Sequence, residues 1–313
     1  MAETSLAVEK TSHRNRFSGV LNNPVTIKEL RSRMRGRRAF VVLSLYLLVL
    51  SAAIVFVYLI YLSSSNFPSS TMARTAGKGL FAAVLGVQVL LVTFIGPAFT
   101  AAAVSGERER QTFDLLRTTL LSAEAFVLGK LISSLSYILL LVVVSIPLQS
   151  IAFLLGGLSA VELVLSQVLI LVAAVAYALY GLWCSAAMRS TLAATVATFA
   201  GTLFATFGIP ALAFITLLLL GSVGGLLTAP NPSLEMVLIY LGLVMAATNL
   251  PATLILSETF LLNQDTLIGY THTIGSQAMW IFSPWLLFVA LHLIAAAVLY
   301  VAAVRRVRRI SDT

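Results

Sequence analysis

Charge is scarce in this chain. Only 10% of its 313 residues are charged, against 59% hydrophobic, whereas a soluble domain carries about a quarter charged residues. Cysteine is nearly absent. Cys184 stands alone, which excludes an internal disulfide and a cysteine-based metal cluster and leaves it as a small buried apolar residue. His13, His272 and His292 are the only histidines, too scattered along the chain to form a metal site. There is no H-E-x-x-H, no G-x-S-x-G and no cluster of aspartates, so an intramembrane enzyme is disfavoured and no catalytic residue is assigned. The phosphate-cradling G-x-x-x-x-G-K-[ST] is also missing. "TAGKGL" at Thr75–Leu80 has the Gly-Lys but neither the earlier glycine nor the Ser/Thr. Without such a loop the chain is expected to bind no cofactor and hydrolyse no ATP itself.

Long apolar runs are present instead, and the mean hydropathy is +0.99. Six runs, Ala39–Leu62, Gly79–Val104, Ala125–Leu155, Val161–Ala187, Thr191–Leu220 and Pro284–Val304, each exceed the ~18–20 residues that cross a hydrocarbon core of about 30 Å. The expected fold class is an all-α membrane protein with six transmembrane helices. A seventh stretch, Glu235–Leu262, is interrupted by "AATNLPAT", with Asn249 and Pro251 at its middle. Proline removes a backbone donor and biases the preceding residue away from helix. The two arms that remain are about thirteen residues each, too short to span. A re-entrant helical hairpin over 235–262, dipping in from the outer side, is the expectation. Irregular backbone at that depth must be covered by protein or water.

The net charge of +8 does not imply nucleic acid, because of where the charges lie. Nine basic residues fall between Lys10 and Arg38, and four more form the tail "RRVRR" at Arg305–Arg309. With six spans and a cytoplasmic N-terminus, eighteen basic residues lie inside and only Arg74 and Lys78 outside, the positive-inside bias. A full crossing by 235–262 would instead put the basic tail outside. Both termini are therefore expected in the cytoplasm, with Trp280 and Trp285 at the outer interface. The expected layout is a disordered cytoplasmic tail over 1–22, an amphipathic helix over 23–38, a six-span domain over 39–304 and a basic tail over 305–313. Within the six-span domain lies a cytoplasmic loop over 105–124.

Ahead of the first span, "NNPVTIKELRSRMRGRRAF" offers Asn23 as an N-cap and Pro24 at the first helical position. Ile27, Leu30 and Met34 recur at helical spacing, with Lys28, Glu29, Arg31, Arg35 and Arg38 around them. This is a basic amphipathic helix suited to the inner interface, facing anionic headgroups or a cytoplasmic partner, or serving only as a topology anchor. The loop "SGERERQTFDLLRTTLLS" is the one substantial polar insertion between spans. Gly106 is expected to break the descending helix. Arg110, Asp114 and Arg117 are spaced to pair on a short helix, while Phe113, Leu116 and Leu120 supply an apolar edge. Ser122 can cap the next span, with Glu124 in its first turn. Such a helix suits docking onto a soluble protein; a solvated loop with ordinary charges fits the residues equally.

Two segments resemble the permease subunits of the ABC-2 family of ATP-binding-cassette transporters. "NPVTIKELRSRMRGRRAF" resembles the family's Asn-Pro…Lys/Arg-Glu-Leu-Arg lead into the first span. "GERERQTFDLLRTTLLSAEAFVLGK" resembles the family's loop after the second span, matching in order at Glu107, Glu109, Thr112, Leu116, Thr119, Ser122, Gly129 and Lys130. Leu120 departs from the pattern, where the family usually has proline. The resemblance implies a coupling helix that docks an ATPase subunit through Glu107, Arg108, Glu109, Arg110, Thr112, Phe113, Asp114, Leu116 and Arg117. It also implies a connecting helix carrying Lys28, Glu29, Arg31 and Arg35. The implied partners are two copies of an ABC ATPase subunit holding ATP and Mg, a second permease subunit identical or paired, and membrane lipid. The implied location is a prokaryotic inner membrane, and the implied activity is export by alternating access.

Pro97, Pro147 and Pro210 are candidates to kink moving helices or are simply satisfied bends. Asn249, Pro251 and Glu258 are the candidate outer gate, with Asp265 nearby; at shallow depth Glu258 would instead sit in headgroup water. The alternative of a different class is an ion-coupled secondary carrier without an ATPase. That needs a carboxylate or histidine near the midplane, where the spans offer only a lone His292, since Glu124, Lys130 and Glu162 lie near span ends.

Overall fold

A computed structural model describes residues 37–63, 69–111, 122–222, 232–264, 266–274 and 277–312. The expected tail over 1–22, the connecting helix with Lys28, Glu29, Arg31 and Arg35, and the loop positions Thr112, Phe113, Asp114, Leu116 and Arg117 lie outside these residues.

The described elements are α1 (Arg37–Ser63), α2 (Ser69–Thr100), α3 (Ser105–Glu109), α4 (Ala123–Leu154), α5 (Ala160–Ala187), α6 (Thr191–Leu203), a π-helical turn (Phe204–Gly208), α7 (Ile209–Ser222), α8 (Pro232–Ala247), α9 (Leu250–Gln264), β1 (Gly269–Ile274), β2 (Gln277–Phe282) and α10 (Pro284–Asp312). Six helical segments are long and apolar enough to cross a membrane: Phe40–Ser63, Ala73–Glu109, Ala123–Leu154, Ala160–Ala187, Thr191–Thr216 and Pro284–Arg309. They coincide with the six apolar runs. The outside of the bundle carries large apolar side chains such as Phe40, Leu154, Leu192 and Val298. A soluble monomer rarely exposes so continuous an apolar surface, and the molecule is a multi-pass membrane protein.

Helix α5 is the hub. It packs against α2, α4, α6 and α10 through small buried residues: Ala173, Ala174, Ala178, Gly181, Ser185 and Ala186. Small side chains let backbones approach closely where no hydrophobic drive between helices exists. At Gly181 the approach is so tight that a Cβ would collide with Thr100 of α2. Serines punctuate the turns. Ser122 caps α4 by accepting from the Ala125 N–H at 3.2 Å, as its position in the sequence suggests. Ser159 and Glu162 form a reciprocal capping box at the start of α5, and Ser190 caps α6.

Two features depart from expectation. Gly106 lies inside α3, and the break falls at the preceding turn, 101–104. Ser185 of α5 causes it: its Oγ accepts from the Val104 and Ser105 N–H groups at 2.9 and 3.0 Å. Those donors are diverted from the helix, and a side chain from a neighbouring span caps α3 in place of a local residue. The second departure is an antiparallel β-hairpin, β1 with β2, between α9 and α10. Met279 and Ile281 of β2 meet Leu243 of α8 and Phe260 of α9 in one cluster. The two short helices, joined by the turn at Thr248–Asn249, thus share one apolar cluster with the β-hairpin.

Candidate functional site

The polar end of the bundle holds the described part of the segment 105–124. Glu107 pairs with Lys130 of α4 at 3.2 Å, the two side chains being 28% and 8% exposed. Arg108 donates to the Met188 carbonyl at 3.4 Å. Glu109 accepts from the Thr191 N–H at 2.7 Å and from its hydroxyl at 2.8 Å, a bond that also caps the start of α6. These hydrogen bonds hold the water-exposed Glu109 carboxyl below the ordinary carboxylate range. Gln111 follows at φ 57°, a left-handed turn that ends the helical path. Three residues assigned to docking a partner thus also tie the loop to the start of α4 and to the α5–α6 turn. Arg110 is exposed. Glu124 reaches Arg308 of α10 at 3.3 Å on the surface.

A second node lies inside the bundle where the hydrogen bonding after α6 shifts from four-residue to five-residue spacing. The π-helical turn at Phe204–Gly208 sends the Ile209 N–H to the Phe204 carbonyl, and Pro210 has no N–H to give. The carbonyls of Ala205 and Thr206 therefore lose their usual helical partners. Asn249, from the turn between α8 and α9, donates its amide to both, at 2.7 and 2.8 Å. Its own side-chain oxygen accepts from the Ala252 N–H at 3.0 Å, capping α9 with Pro251 in its first turn. The Thr206 hydroxyl meets Thr93 of α2 at 3.3 Å and Tyr177 of α5 at 3.0 Å. One asparagine joins the α8–α9 turn to a bend shared with two more helices. π-Turns of this kind are frequent at functional sites. Beside the node, α7 and α8 border an open apolar groove of about 600 Å³ lined by Pro210, Phe214, Leu241, Met245 and Asn249.

A third cluster joins α2, α4 and α5. Gln88 donates to Gln167 at 3.3 Å, Gln167 to Gln149 at 3.2 Å, and Gln149 to Gln88 at 3.1 Å. Ser145 accepts from Gln88 at 2.6 Å. The three amides close a ring, with Gln88 and Gln149 fully buried. A satisfied polar ring in an apolar interior fixes the register of three helices.

Of the sequence-predicted residues, Glu107, Arg108 and Glu109 converge on one end of the bundle, and Asn249 with Pro251 builds the interior bend. Glu258 stands apart from both, half-buried on α9. The glutamine ring and the π-turn were not foreseen. A single amide in each of three apolar runs was the available signal for the ring. Among the described residues no group of three or more His, Cys, Asp or Glu side chains is placed to hold a metal ion. His292 bonds the Phe288 carbonyl at 3.0 Å and stacks on that ring, a packing role. No family model and no curated protein matches this chain.

Proposed function

We propose that this chain is the membrane-spanning permease subunit of an ATP-driven transporter of the ABC-2 type, working as an exporter by alternating access. The observation that carries the proposal is the bracing of the polar loop. Glu107–Lys130 and Glu109–Thr191 connect the segment bearing the ABC-2-like motif, which continues from α2, to the starts of two further spans. A push on that loop is passed directly to α2, α4 and α6, as a coupling segment requires. Two ATPase subunits, each holding ATP and Mg, dock on the loop through the exposed Arg110 and the positions 112–117. The basic helix over 23–38 lies beside them.

In this reading both termini and the loop face the cytoplasm of a prokaryotic cell. Helices α8 and α9, of 16 and 15 residues, rise only about 24 and 22 Å. Each is short of a full crossing, which supports a re-entrant hairpin from the outer side and returns the basic tail to the cytoplasm. Two such subunits, identical or paired, enclose the pathway. The bend at Phe204–Pro210 is the natural hinge for the second half of the fifth span, and Asn249 links that hinge to the hairpin as an outer gate. A ligand or a docked motor shifts such an equilibrium only through contacts that differ between its two states. The braced loop and the Asn249 contact are the two places where such differences arise. Purification in mild detergent from the host tests the proposal, since the chain should retain a stoichiometric P-loop protein. An ion-coupled carrier would retain none, and its transport would survive ATP depletion but collapse with an uncoupler.

A further inference from the structure

The junction between α2 and α3 offers its backbone donors two sets of acceptors. In an uninterrupted helix the Val104 and Ser105 N–H groups would bond the Thr100 and Ala101 carbonyls, four residues back. Here both go to the Oγ of Ser185 on α5, and the Ser105 and Ser185 hydroxyls meet at 3.2 Å. The Thr100 carbonyl takes the Ala103 N–H instead, at 3.1 Å, a turn tighter than the α-helix. Helical bonding resumes at once, with the Gly106 N–H on the Ala102 carbonyl at 3.0 Å. One side-chain oxygen inserted into the ladder makes the interruption. The local sequence does not. Alanine is the strongest helix former, three of them stand at Ala101, Ala102 and Ala103, and no proline follows Pro97 before Glu109. Val104, Ser105 and Ser185 are all buried, so neither donor can turn to water, and leaving either unpaired would be costly.

Helix α5 supplies both a pivot and a catch. Gly181 and Ser185 lie one turn apart on the same face. At Gly181 the contact with Thr100 leaves no room for a Cβ, which fixes the end of α2. Ser185, one turn nearer the α5–α6 turn, holds the residues that follow. We propose that the α2–α3 junction is a two-state joint latched by Ser185. Its interrupted state, seen here, directs Glu107 to Lys130 and Glu109 to Thr191. In its continuous state the two N–H groups return to the Thr100 and Ala101 carbonyls, α3 turns relative to α2, and both contacts part. The exchange sets two N–H···O bonds against two others, so modest contacts that differ between the states shift it. That a docked motor supplies those contacts rests on the docking reading of the loop; the joint itself belongs to this chain alone.

The test is hydrogen–deuterium exchange at single-residue resolution, on the purified full-length protein in lipid nanodiscs with no ATPase present. The reporter is the Thr191 N–H at the water-exposed end of the bundle, whose acceptor is the Glu109 carboxylate at 2.7 Å. Ser185→Ala removes the latch while keeping a small side chain on α5. Exchange at Thr191 should quicken about tenfold or more, the weight of a hydrogen bond to a charged group. Val104, Ser105 and the interior of α5 should stay protected, because the two donors then bond the helical carbonyls. Ser185→Cys, close in size but a much weaker acceptor, covers the case in which the alanine variant is unstable. Unchanged exchange at Thr191 in a folded variant overturns the proposal. So does fast exchange at Val104 and Ser105 together with Thr191, which would mean a junction that only frays. The expected pattern in a chain that retains no ATPase upholds the joint and overturns only the docking reading.

Discussion

Replacing Asn249 by alanine tests the interior bend most severely. The substitution removes the cap of α9 and leaves the Ala205 and Thr206 carbonyls without their donor. Losing a cap costs about 1 kcal/mol. In water each orphaned buried carbonyl would add about 1–3 kcal/mol. Interhelical hydrogen bonds in membranes have proved weaker, about 0.6–1.7 kcal/mol each, because the unfolded chain in lipid also finds partners. The membrane figure governs here, so the expected total is about 2–4 kcal/mol. Reversible unfolding on titration with a denaturing detergent reads it. A second substitution separates this account from simple loss of packing. Pro210→Ala supplies a backbone N–H at the bend, able to take one of the two orphaned carbonyls. In that background the Asn249→Ala penalty should shrink by about 1 kcal/mol, visible as coupling in a double-mutant cycle. Equal penalties in the two backgrounds, or a single-variant cost below about 0.5 kcal/mol, would refute the reasoning.

The other predictions concern the remaining two polar clusters. Lys130→Met strands the Glu107 carboxylate at a mostly buried position, with an expected cost of about 1–3 kcal/mol. The same change should lower transport-coupled ATPase activity, and a coupling near zero between Lys130→Met and Glu107→Gln would sink the pair. Gln88→Leu opens the amide ring and leaves partners on Gln149, Gln167 and Ser145 unmatched, at about 1–3 kcal/mol. Replacing all three glutamines by leucine should cost less than the sum of the single changes, since no amide is then left unpaired. Detergent-titrated unfolding of the single and triple variants decides this.

The spans were legible because each is an uninterrupted apolar run, and length against bilayer thickness decides their identity. The two short helices were legible from one dipeptide region, Asn249 to Pro251, which divides an otherwise spanning stretch. Ser122 announces a helix start through a purely local bond. What escaped the sequence involves partners distant along the chain. The end of α2 is set by Ser185, eighty residues on, so Gly106 was a misleading local cue. The π-turn depends on Asn249 donating to the two carbonyls that the shifted Ile209 N–H and Pro210 leave unmatched. The ring of Gln88, Gln149 and Gln167 needs three helices in register, and the Glu107–Lys130 pair needs two. The strands at Gly269–Phe282 lack clean alternation and owe their place to the apolar cover they give α8 and α9.

The same distinction bears on the site residues. Glu107 and Glu109 carry the family-like pattern, and a reader of the sequence assigns both to contact with a partner. In the folded chain both carboxylates already have intramolecular partners, Lys130 and Thr191. Reversing their charges would therefore disturb the loop's own bracing as well as any docking. Arg110 is the cleaner probe of docking, because it is exposed, and the bracing bonds described for this loop run through its neighbours.

The central claim is that this chain couples to a separate motor. The decisive measurement is mild-detergent purification of the tagged protein from its host, with cross-linking before extraction and identification of the soluble subunits retained. The account predicts a stoichiometric protein bearing a P-loop, bound through the segment beginning at Glu107 and weakened by Arg110→Glu while membrane insertion is unchanged. Recovery of the chain with no ATPase, even after cross-linking, would contradict it.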